Sequence, residues 1–501
     1  MKTNDIAHSG HHYIGGRWVQ ADDPDGISII NPYTLAVVGS APRGTVAEVD
    51  AAIDAAAHAF ARWGMTSRQE RASWLRKIAA ALQPQVDAMA RLCTSEVGTP
   101  LATSLSFNGQ APVRIFQAMA DLIERRSFDE QLGSSRIIRE PIGVVACIPA
   151  WNVPLFLAAD KVAAALAAGC TVVLKPSETS PLSAFLLAQA IDAAGLPPGV
   201  FNLVNGTGPE VGDALTAHPR VDMVSYTGST EVGKHIMARA AQSVKKVALE
   251  LGGKSPCVVL PDADLPTAVA RTVQDLMLNS GQICIALSRL LVPRAREQEV
   301  ADIARRVALA QRMGDPMEPT TTMGPLATQR HRDNVLRRIR SGIDEGAVVV
   351  AGGPETPPGL EQGWFVAPTI FAQVDNRMTI AQQEIFGPVL SIIPYDDEDH
   401  ALAIANDTIY GLNACVWASS TERAVGFARR IRAGKVTIND GVYNALAPAG
   451  GYKQSGLGRE RGPYGLEEFL EIKSLQFRDA DTACRAVIPA PISPSIHEGD
   501  Y

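Results

Sequence analysis

The stretch TVVLKPSETSPLSAFLLAQA at positions 171–190 decides the fold, because a short apolar run that ends in lysine and proline is followed by an apolar run at helical spacing. The order repeats along the chain and gives predicted strands at 144–148, 171–174, 200–204 and 223–226 and predicted helices at 157–168, 183–194, 211–217 and 230–240. Strands that alternate with helices form a parallel sheet with helices on both faces. The sequence therefore predicts a doubly wound α/β fold, in which ligands bind beyond the carboxyl ends of the strands.

The composition is that of a globular chain with more than one domain. At 501 residues, 46% of them hydrophobic and 20% charged, the chain is too long for one ordinary core, and two or three domains are expected. A net charge of -7 disfavours a nucleic-acid partner, because no basic field is available for phosphates. Seven cysteines without a CxxC pair predict reduced thiols in a cytoplasmic protein and no metal site. No apolar run reaches the roughly 18 residues of a membrane span, so no membrane partner is predicted.

Further elements are expected on both sides of this block. The sequence predicts a second alternating α/β block at 255–438, a hairpin-like unit formed by 13–19 and 27–32, and helices at 46–63, 67–90 and 109–124. The polar N-terminus, with His8, His11 and His12, is expected to fray, and adventitious metal binding is the alternative. The proline-rich stretch at 489–494 is expected to be a surface extension or a disordered end.

Two segments carry the candidate chemistry, ELGGK at 250–254 and GQIC at 281–284. A lone cysteine is more often a small core residue than a nucleophile, but Cys284 follows a turn-like Ser-Gly-Gln sequence. Glu250 alone could be a solvated strand end. If the two side chains meet in space, the thiol can attack a carbonyl and the carboxylate can later activate water, which are the two halves of one covalent mechanism.

Three further segments could serve the same site. Asn152, in PAWNVP at 149–154, has a side-chain amide that can donate to an oxyanion, although an Asx turn is the simpler interpretation. Lys175 and Glu178 follow a buried strand, at the place where the hydroxyl groups of a nucleotide ribose are held. GSTEVG at 228–233 opens a helix whose amides can meet a pyrophosphate, although Ser229 could be only an N-cap.

In this order and spacing the segments resemble the aldehyde dehydrogenase superfamily, from about position 13 to 475. ELGGK and GQIC match the two active-site signatures of the family, and QEIFGPV at 383–389 and GYKQSG at 451–456 match further motifs. The resemblance implies an NAD(P)-dependent, hydrolytic enzyme in which Cys284 forms a thiohemiacetal and then a thioester. Asn152 and the Cys284 amide would hold the oxyanion, and Glu250 would be the base that activates water.

The resemblance also implies a small-molecule aldehyde as the substrate and NAD as the cofactor, with NADP as the alternative. Glu178 is similar to the residue that favours NAD, because a carboxylate bonds the ribose 2′-hydroxyl and repels a 2′-phosphate. Lys161 and Glu460 match a proton relay behind Glu250. The positions that match the cofactor cleft are Ile148, Trp151, Lys175, Glu178, Gly208, Gly212, Gly228, Ser229, Gly233, Leu251, Glu384 and Phe386.

The implied architecture has a Rossmann-like cofactor domain, an α/β catalytic domain and a small β arm for oligomerisation into a tetramer or dimer. The corresponding ranges are 1–122 and 142–252 for the cofactor domain, 253–469 for the catalytic domain, 123–141 and 470–480 for the arm, and 481–501 for a C-terminal tail.

The departures from the family pattern concern the substrate pocket. Val153 and Ala449 stand where many members have an aromatic ring, and Asp160 stands where bulky apolar residues are common. The lost rings predict a widened pocket for a bulky or long apolar aldehyde, of aromatic, terpenoid or aliphatic kind. The alternative is that Tyr443 or Phe156 fills the same space. No arginine stands out as a clamp for a second carboxylate, which disfavours a semialdehyde acid.

Three rival functions are left open. A CoA-acylating dehydrogenase would pass the acyl group to CoA, but such relatives usually lack the base that Glu250 supplies. A non-catalytic binding protein on the same scaffold is expected to have lost Cys284 or Glu250. A thiol hydrolase would leave the nucleotide-binding segments unexplained, and no histidine lies near either signature.

Overall fold

The computed structural model describes residues 7–22 and 26–485. The strands are β1 His11–Ile14, β2 Arg17–Gln20, β3 Ile27–Ile30, β4 Val37–Ala41, β5 Asp129–Leu132, β6 Ser135–Pro141, β7 Val144–Ile148, β8 Thr171–Leu174, β9 Phe201–Leu203, β10 Met223–Thr227, β11 Lys246–Glu250, β12 Pro256–Val259, β13 Arg289–Pro293, β14 Val348–Ala351, β15 Thr369–Ala372, β16 Val389–Tyr395, β17 Asn413–Trp417, β18 Lys435–Ile438, β19 Gly456–Leu457 and β20 Leu470–Gln476. The helices are α1 Val46–Trp63, α2 Arg68–Leu82, α3 Val86–Val97, α4 Leu101–Ser104, α5 Ala111–Arg125, α6 Pro154–Ala168, α7 Leu182–Ala194, α8 Asp213–Ala217, α9 Thr230–Ala240, α10 Leu265–Met277, α11 Glu297–Leu309, α12 Gln329–Asp344, α13 Thr379–Gln382, α14 Glu398–Asn406, α15 Thr421–Ala428, α16 Gly462–Glu467 and α17 Ala480–Arg485.

The first large sheet runs in the order β19-β11-β10-β7-β8-β9-β1-β2. Its centre, from β11 to β9, is parallel, whereas β19 and the β1–β2 hairpin join antiparallel at the two ends. Strands β7, β8 and β10 are buried along their whole length, as expected where helices cover both faces of a sheet. The predicted doubly wound α/β fold is confirmed.

The second large sheet runs in the order β14-β15-β16-β13-β12-β17-β18 and is parallel except for the β14–β15 pair. The chain passes from β11 of the first sheet directly into β12 of the second. The ELGGK segment therefore lies where the two sheets meet.

A small antiparallel sheet in the order β20-β6-β5 lies in the ranges predicted for the oligomerisation arm. Leu132 and Ile472 on its strands are exposed. The domain boundaries stay a prediction, and β19, which belongs to the range predicted for the catalytic domain, pairs with β11 of the first sheet.

Two predicted helices have different bounds in the structure. The predicted helix at 67–90 is α2, a 3-10 turn at Gln83–Gln85, and α3, which extends to Val97. Pro84 interrupts it, because proline lacks the amide hydrogen that an α-helical hydrogen bond needs. The predicted helix at 109–124 begins only at Ala111, after a π-helical turn at Leu105–Gln110.

The prediction of a frayed N-terminus is wrong for its described part. His11 and His12 lie in β1, which pairs with β2 and β9. His12 is fully buried, and its Nε2 lies 3.3 Å from the Glu48 carboxylate. At the other end, residues 480–485 form α17, and the proline-rich stretch at 489–494 lies outside the described residues.

Two findings concern the expectations from composition. All seven cysteines are free thiols. Among residues 7–22 and 26–485, no group of three or more His, Cys, Asp or Glu side chains could hold a metal ion, and no helix is long and apolar enough to cross a membrane.

Candidate active site

Cys284 follows a loop that the protein holds in a strained conformation. After α10, Asn279, Ser280 and Gly281 are left-handed in succession, with φ of 51°, 57° and 75°. Such a conformation costs on the order of 1–3 kcal/mol at a residue with a side chain, so the surroundings must hold it. Position 281 admits only glycine, because a Cβ there would lie 2.1 Å from the Gly387 carbonyl oxygen.

Buried hydrogen bonds supply that support. Thr99 Oγ1 donates to Asn279 Oδ1 at 2.6 Å, and Ser280 Oγ donates to the Gly324 carbonyl at 2.7 Å. The turn that the sequence indicates before Cys284 is therefore present and braced by distant parts of the chain. Thr99 and Asn279 were missed in the sequence, although the pair Asn-Ser before a glycine is a signal for left-handed backbone.

Asn152 lies against the same loop. It is 3% exposed, and its Nδ2 donates to the Gln282 carbonyl at 2.8 Å, two residues before Cys284. Asn279 Nδ2 donates in turn to the Asn152 carbonyl at 3.1 Å. The Asx-turn interpretation is wrong, because the side chain bonds a carbonyl 130 positions away. The amide is thus held beside the backbone of the thiol, where a donor to an oxyanion is needed.

Glu250 ends β11 and faces a glycine across the site. A Cβ on Gly450 would lie 2.7 Å from Glu250 Oε1, so the absence of a side chain leaves room for the carboxylate. Burial and the negative charge of Glu460 raise the pKa of Glu250 well above its usual range. A carboxylate with a raised pKa accepts a proton more strongly than an ordinary glutamate, which suits a general base.

The thiol and the carboxylate act on each other electrostatically. Burial raises the pKa of Cys284 to about 12, and the charges of Glu384 and Glu250 add to the rise, whereas the charge of Arg461 opposes it. The half-buried thiol is therefore protonated at neutral pH in this arrangement. The structure brings Cys284, Glu250 and Asn152 into one site.

A buried ion pair lies behind Glu250. Lys161 Nζ is 2.5 Å from Glu460 Oε1 and 3.2 Å from Ser225 Oγ. Lys161 is 1% exposed, and Glu460 is also buried. Because the charge of Glu460 raises the pKa of Glu250, the three residues of the predicted proton relay lie together.

The predicted nucleotide-binding residues follow the carboxyl ends of strands in the first sheet. Lys175 Nζ lies 3.4 Å from the Glu178 carboxylate, and its side chain passes 3.8 Å from where a Cβ on Gly212 would lie. Ser229 is the N-cap of α9 and accepts from the Val232 amide at 3.3 Å. Two of the other predicted positions lie at the ends of elements: Ile148 ends β7, and Gly208 begins a π-helical turn. The Gly228 amide donates to the Glu250 carbonyl, and Gly233 lies in close contact with Leu251.

Glu384 and Phe386 line the same small cavity as Cys284. Glu384 Oε1 accepts from the Gly253 amide at 3.0 Å, and burial raises the pKa of Glu384 to about 7. These contacts place two predicted cofactor residues directly beside the thiol.

An aromatic cluster adjoins the cavity of Cys284 through Phe386. The Trp151 ring lies 5.5 Å from that of Phe386 and 5.4 Å from that of His331, measured between centroids. His331 Nε2 is 2.7 Å from the Phe386 carbonyl oxygen. His331 could not be predicted from the sequence, because α12 has the pattern of a basic, solvent-exposed helix.

The arrangement fits a nicotinamide dinucleotide. The Lys175 side chain is 2% exposed and that of Glu178 is 44% exposed, so a buried ammonium stands beside an open carboxylate, a pair suited to ribose hydroxyls. A Cβ built on Gly208 meets nothing within 4 Å, so there is open space beside this predicted cofactor position. The amides at the start of α9 would face a pyrophosphate.

The substrate side contains an arginine that the sequence did not reveal. Arg461 Nε lies 2.9 Å from Asp160 Oδ2, Nη1 donates to the Tyr443 hydroxyl, and the guanidinium lies 4.7 Å from the centroid of the Phe156 ring. The sequence showed no arginine that stands out as a clamp for a second carboxylate, and that prediction stays untested. The structure places the Arg461 guanidinium close enough to Cys284 and Glu250 for its charge to lower the pKa of each. Asp160 and Arg461 are 301 positions apart, so no local pattern could pair them.

The other predicted pocket residues surround this group. Val153 and Phe156 belong to one buried apolar cluster, in which the Phe107 ring lies 6.0 Å from that of Phe156. Ala449 exchanges backbone hydrogen bonds with Glu460, at 2.8 and 2.9 Å. Phe107 was missed because it lies on the π-helical turn before α5.

Comparison with known proteins identifies the family. The model of the aldehyde dehydrogenase family matches residues 18–475, nearly the whole described chain. The chain belongs to the aldehyde dehydrogenase family, and the resemblance carried by ELGGK and GQIC is confirmed.

Individual relatives agree with this assignment. A 3-succinoylsemialdehyde-pyridine dehydrogenase from a Pseudomonas species is 49% identical over 465 residues, which cover 92% of this chain and 97% of the relative. A solved structure of aldehyde dehydrogenase C from Pseudomonas syringae, a cysteine-to-alanine mutant in complex with NAD+ and octanal, has a TM-score of 0.93 and 45% identity and covers 97% of this chain and 99% of that one. An aldehyde dehydrogenase from Mycobacterium tuberculosis in complex with NAD+ has a TM-score of 0.91 and 41% identity, with coverage of 94% and 98%.

Proposed function

We propose that this chain oxidises an aldehyde to a carboxylic acid with NAD as the cofactor, through a thioester on Cys284 that water hydrolyses with Glu250 as the base. One observation carries the proposal: the thiol, the Glu250 carboxylate and the Asn152 amide converge on one site. Family membership and the NAD+ complexes among the similar structures support the choice of cofactor.

In the first half-reaction, Cys284 attacks the aldehyde carbon and forms a thiohemiacetal. The thiol must give its proton to solvent water before it attacks, because burial and two carboxylates hold it protonated, so this half-reaction is faster at higher pH. Asn152 Nδ2 and the Cys284 amide donate to the new oxyanion. The cofactor supplies, when bound, the acceptor for the hydride that leaves the thiohemiacetal carbon.

In the second half-reaction, Glu250 accepts a proton from the water that attacks the thioester, and the carboxylic acid leaves. Its raised pKa makes it a competent base for this step. The buried Lys161–Glu460 pair then offers a route by which that proton leaves the site.

The cofactor is assigned to residues along the sheet edge. Lys175 and Glu178 would hold the adenosine ribose, Ser229 and the first amides of α9 the pyrophosphate, and Glu384 the nicotinamide ribose. The support is the buried ammonium beside an open carboxylate and the position of Glu384 in the cavity of Cys284.

Replacement of Glu178 by glutamine is expected to shift the preference toward NADP, because the carboxylate that repels a 2′-phosphate is removed. The ratio of kcat/KM for NAD to that for NADP should fall by about 10-fold or more. Glu422→Gln, which changes an exposed carboxylate on α15, is the matched control and should leave the ratio unchanged. An equal ratio in Glu178→Gln and the unmodified enzyme would remove Glu178 from the cofactor site.

The substrate is proposed to be a bulky or long apolar aldehyde. Val153 and Ala449 have small side chains, and the aromatic rings of Phe107 and Phe156 pack in one apolar cluster with Val153. Two similar proteins support this choice, because one is named for a pyridine semialdehyde and the other was crystallised with octanal.

NADH formation from a panel of aldehydes tests function and substrate class together. Benzaldehyde and a long-chain aldehyde should be oxidised with higher kcat/KM than acetaldehyde, and CoA should not be required. A clear preference for acetaldehyde would exclude the widened pocket. A requirement for CoA would establish the acylating alternative, and no NADH from any aldehyde would leave a non-catalytic binding protein.

We also propose a cytoplasmic homo-oligomer, a dimer or tetramer. The exposed apolar side chains of Leu132 and Ile472 on the three-stranded arm and the free thiols support it. Light scattering that gives the mass of a monomer would contradict the assembly.

A further inference from the structure

Two neighbouring ion pairs connect α6 to the segment before α16. Asp160 pairs with Arg461 and Lys161 pairs with Glu460, and we call these two pairs the charge ladder. The Lys161–Glu460 pair acts on Glu250 and belongs to the proton relay. The Asp160–Arg461 pair lies on the substrate side, and the proposed reaction assigns it no role.

Arg461 is placed to contact a bound molecule. Its side chain is 15% exposed, whereas that of Asp160 is only 3% exposed, so the guanidinium is the more accessible partner of the pair. The charge of Arg461 reaches both Glu250 and Cys284, lowering the pKa of each. The guanidinium therefore lies near the reacting atoms without being one of them.

One nitrogen of the Arg461 guanidinium, Nη2, is available to donate a hydrogen bond. Nε is engaged by Asp160, and Nη1 donates to the Tyr443 hydroxyl. No hydrogen-bond partner for Nη2 occurs among residues 7–22 and 26–485. An arginine with one edge fixed by a carboxylate is preorganised, so its remaining N–H groups point in a set direction at little further entropic cost.

Aromatic rings flank the same group. The guanidinium lies 4.7 Å from the Phe156 centroid and 5.4 Å from that of Tyr443. Phe107 packs edge-on against Phe156. A polar donor between rings suits a molecule that is apolar except for one acceptor oxygen.

We infer that Arg461, oriented by Asp160 and assisted by Tyr443, is a specificity-determining residue that binds an acceptor oxygen of the substrate remote from its aldehyde group. This inference rests on the proposed function and deepens it. The substrate class is an aldehyde that bears a second oxygen, as a ketone or a carboxylate, on a chain or ring that packs against Phe156.

Of the two kinds of substrate that carry such an oxygen, the ketone is expected to give the larger gain in kcat/KM. The charge of Arg461 is already matched by Asp160, and a carboxylate would add a further anion near Glu250. A neutral acceptor on an aryl group gains the hydrogen bond and the ring contact without that repulsion.

Two matched substrate pairs test the inference in the intact enzyme. The first is 4-oxo-4-phenylbutanal against 4-phenylbutanal, and the second is succinic semialdehyde against butanal. The unmodified enzyme should prefer the member with the extra oxygen by about 10- to 100-fold in kcat/KM, mainly through KM. Preference in the first pair identifies a ketone, and preference confined to the second pair identifies a carboxylate.

The variants separate recognition from folding. Arg461→Met alone would leave the buried Asp160 carboxylate without its counterion, so the double variant Asp160→Leu with Arg461→Met is used. A second variant, Tyr443→Phe, removes only an exposed hydroxyl. The double variant should reduce the preference to about 3-fold or less, and Tyr443→Phe should reduce it in part. Arg296→Met, at an exposed arginine paired with Glu299, should keep it.

The outcomes distinguish this inference from the function on which it rests. If the double variant lowers kcat/KM equally for both members of each pair, or if the unmodified enzyme shows no preference in either pair, Arg461 is only structural and the inference is overturned. Absence of NADH from every aldehyde would instead overturn the proposed function itself.

Discussion

Replacement of Cys284 by serine is expected to lower aldehyde-dependent NADH formation by at least about 10⁴-fold, the largest effect of any single substitution in this chain. A hydroxyl is a far weaker nucleophile than a thiol at neutral pH, and it forms an ester where the mechanism needs a thioester. The fold should not change, because the preceding loop is held by Asn279 and Ser280 and not by the thiol. Steady-state NADH formation measures the loss.

The control removes a thiol elsewhere. Cys484→Ser changes an exposed cysteine in α17 and should keep full activity. NAD binding by Cys284→Ser, followed by quenching of tryptophan fluorescence, should resemble that of the unmodified enzyme. Turnover retained in Cys284→Ser would refute the nucleophile assignment, whatever the behaviour of the control.

Replacement of Glu250 by glutamine is expected to slow turnover by about 10²- to 10⁴-fold while leaving the first half-reaction intact. The negative charge of Glu250 raises the pKa of Cys284, so its removal favours the thiolate and does not hinder attack. Glutamine cannot accept the proton of water, and the thioester should accumulate. Rapid mixing should show a burst of NADH close to one equivalent of enzyme, and mass spectrometry should show an acylated protein.

The rate of thioester hydrolysis is expected to depend on pH through the Glu250 carboxylate. Because burial and Glu460 raise the pKa of Glu250, the base form is present only above that raised pKa, and hydrolysis should increase as pH rises through it. Glu250→Gln should lose this increase. A variant that turns over slowly without a burst would show that Glu250 acts before the thioester forms, and a rate unaffected by the change would exclude it as the base.

The sequence predicts those parts of the molecule that local pattern controls. The runs at 144–148, 171–174 and 223–226 are apolar throughout because both faces of their sheet are covered, and they are recognisable for that reason. The catalytic candidates lie in short motifs that contain glycines, and some of these glycines are required by the structure. Gly281, for example, occupies a position that admits no other residue.

Residues that act through long-range contact could not be predicted in the same way. The sequence around Arg461 is ordinary, and its guanidinium is oriented by an ion pair with Asp160, 301 positions earlier. His331 belongs to a helix with a polar pattern, yet its ring packs on Trp151. The break at Pro84 was predictable in principle, since proline interrupts a helix, but the helical pattern on both sides masked it.

The charge ladder has a consequence for how the chain is made. Helix α6 buries two charged side chains, Asp160 and Lys161, and both counterions come from positions 460 and 461. During synthesis the N-terminal half leaves the ribosome long before those counterions exist, and an unpaired buried charge is strongly unfavourable. We therefore expect helix α6 to reach its final packing against the first sheet only after residues 460 and 461 have been synthesised, so that the active site is completed late in folding.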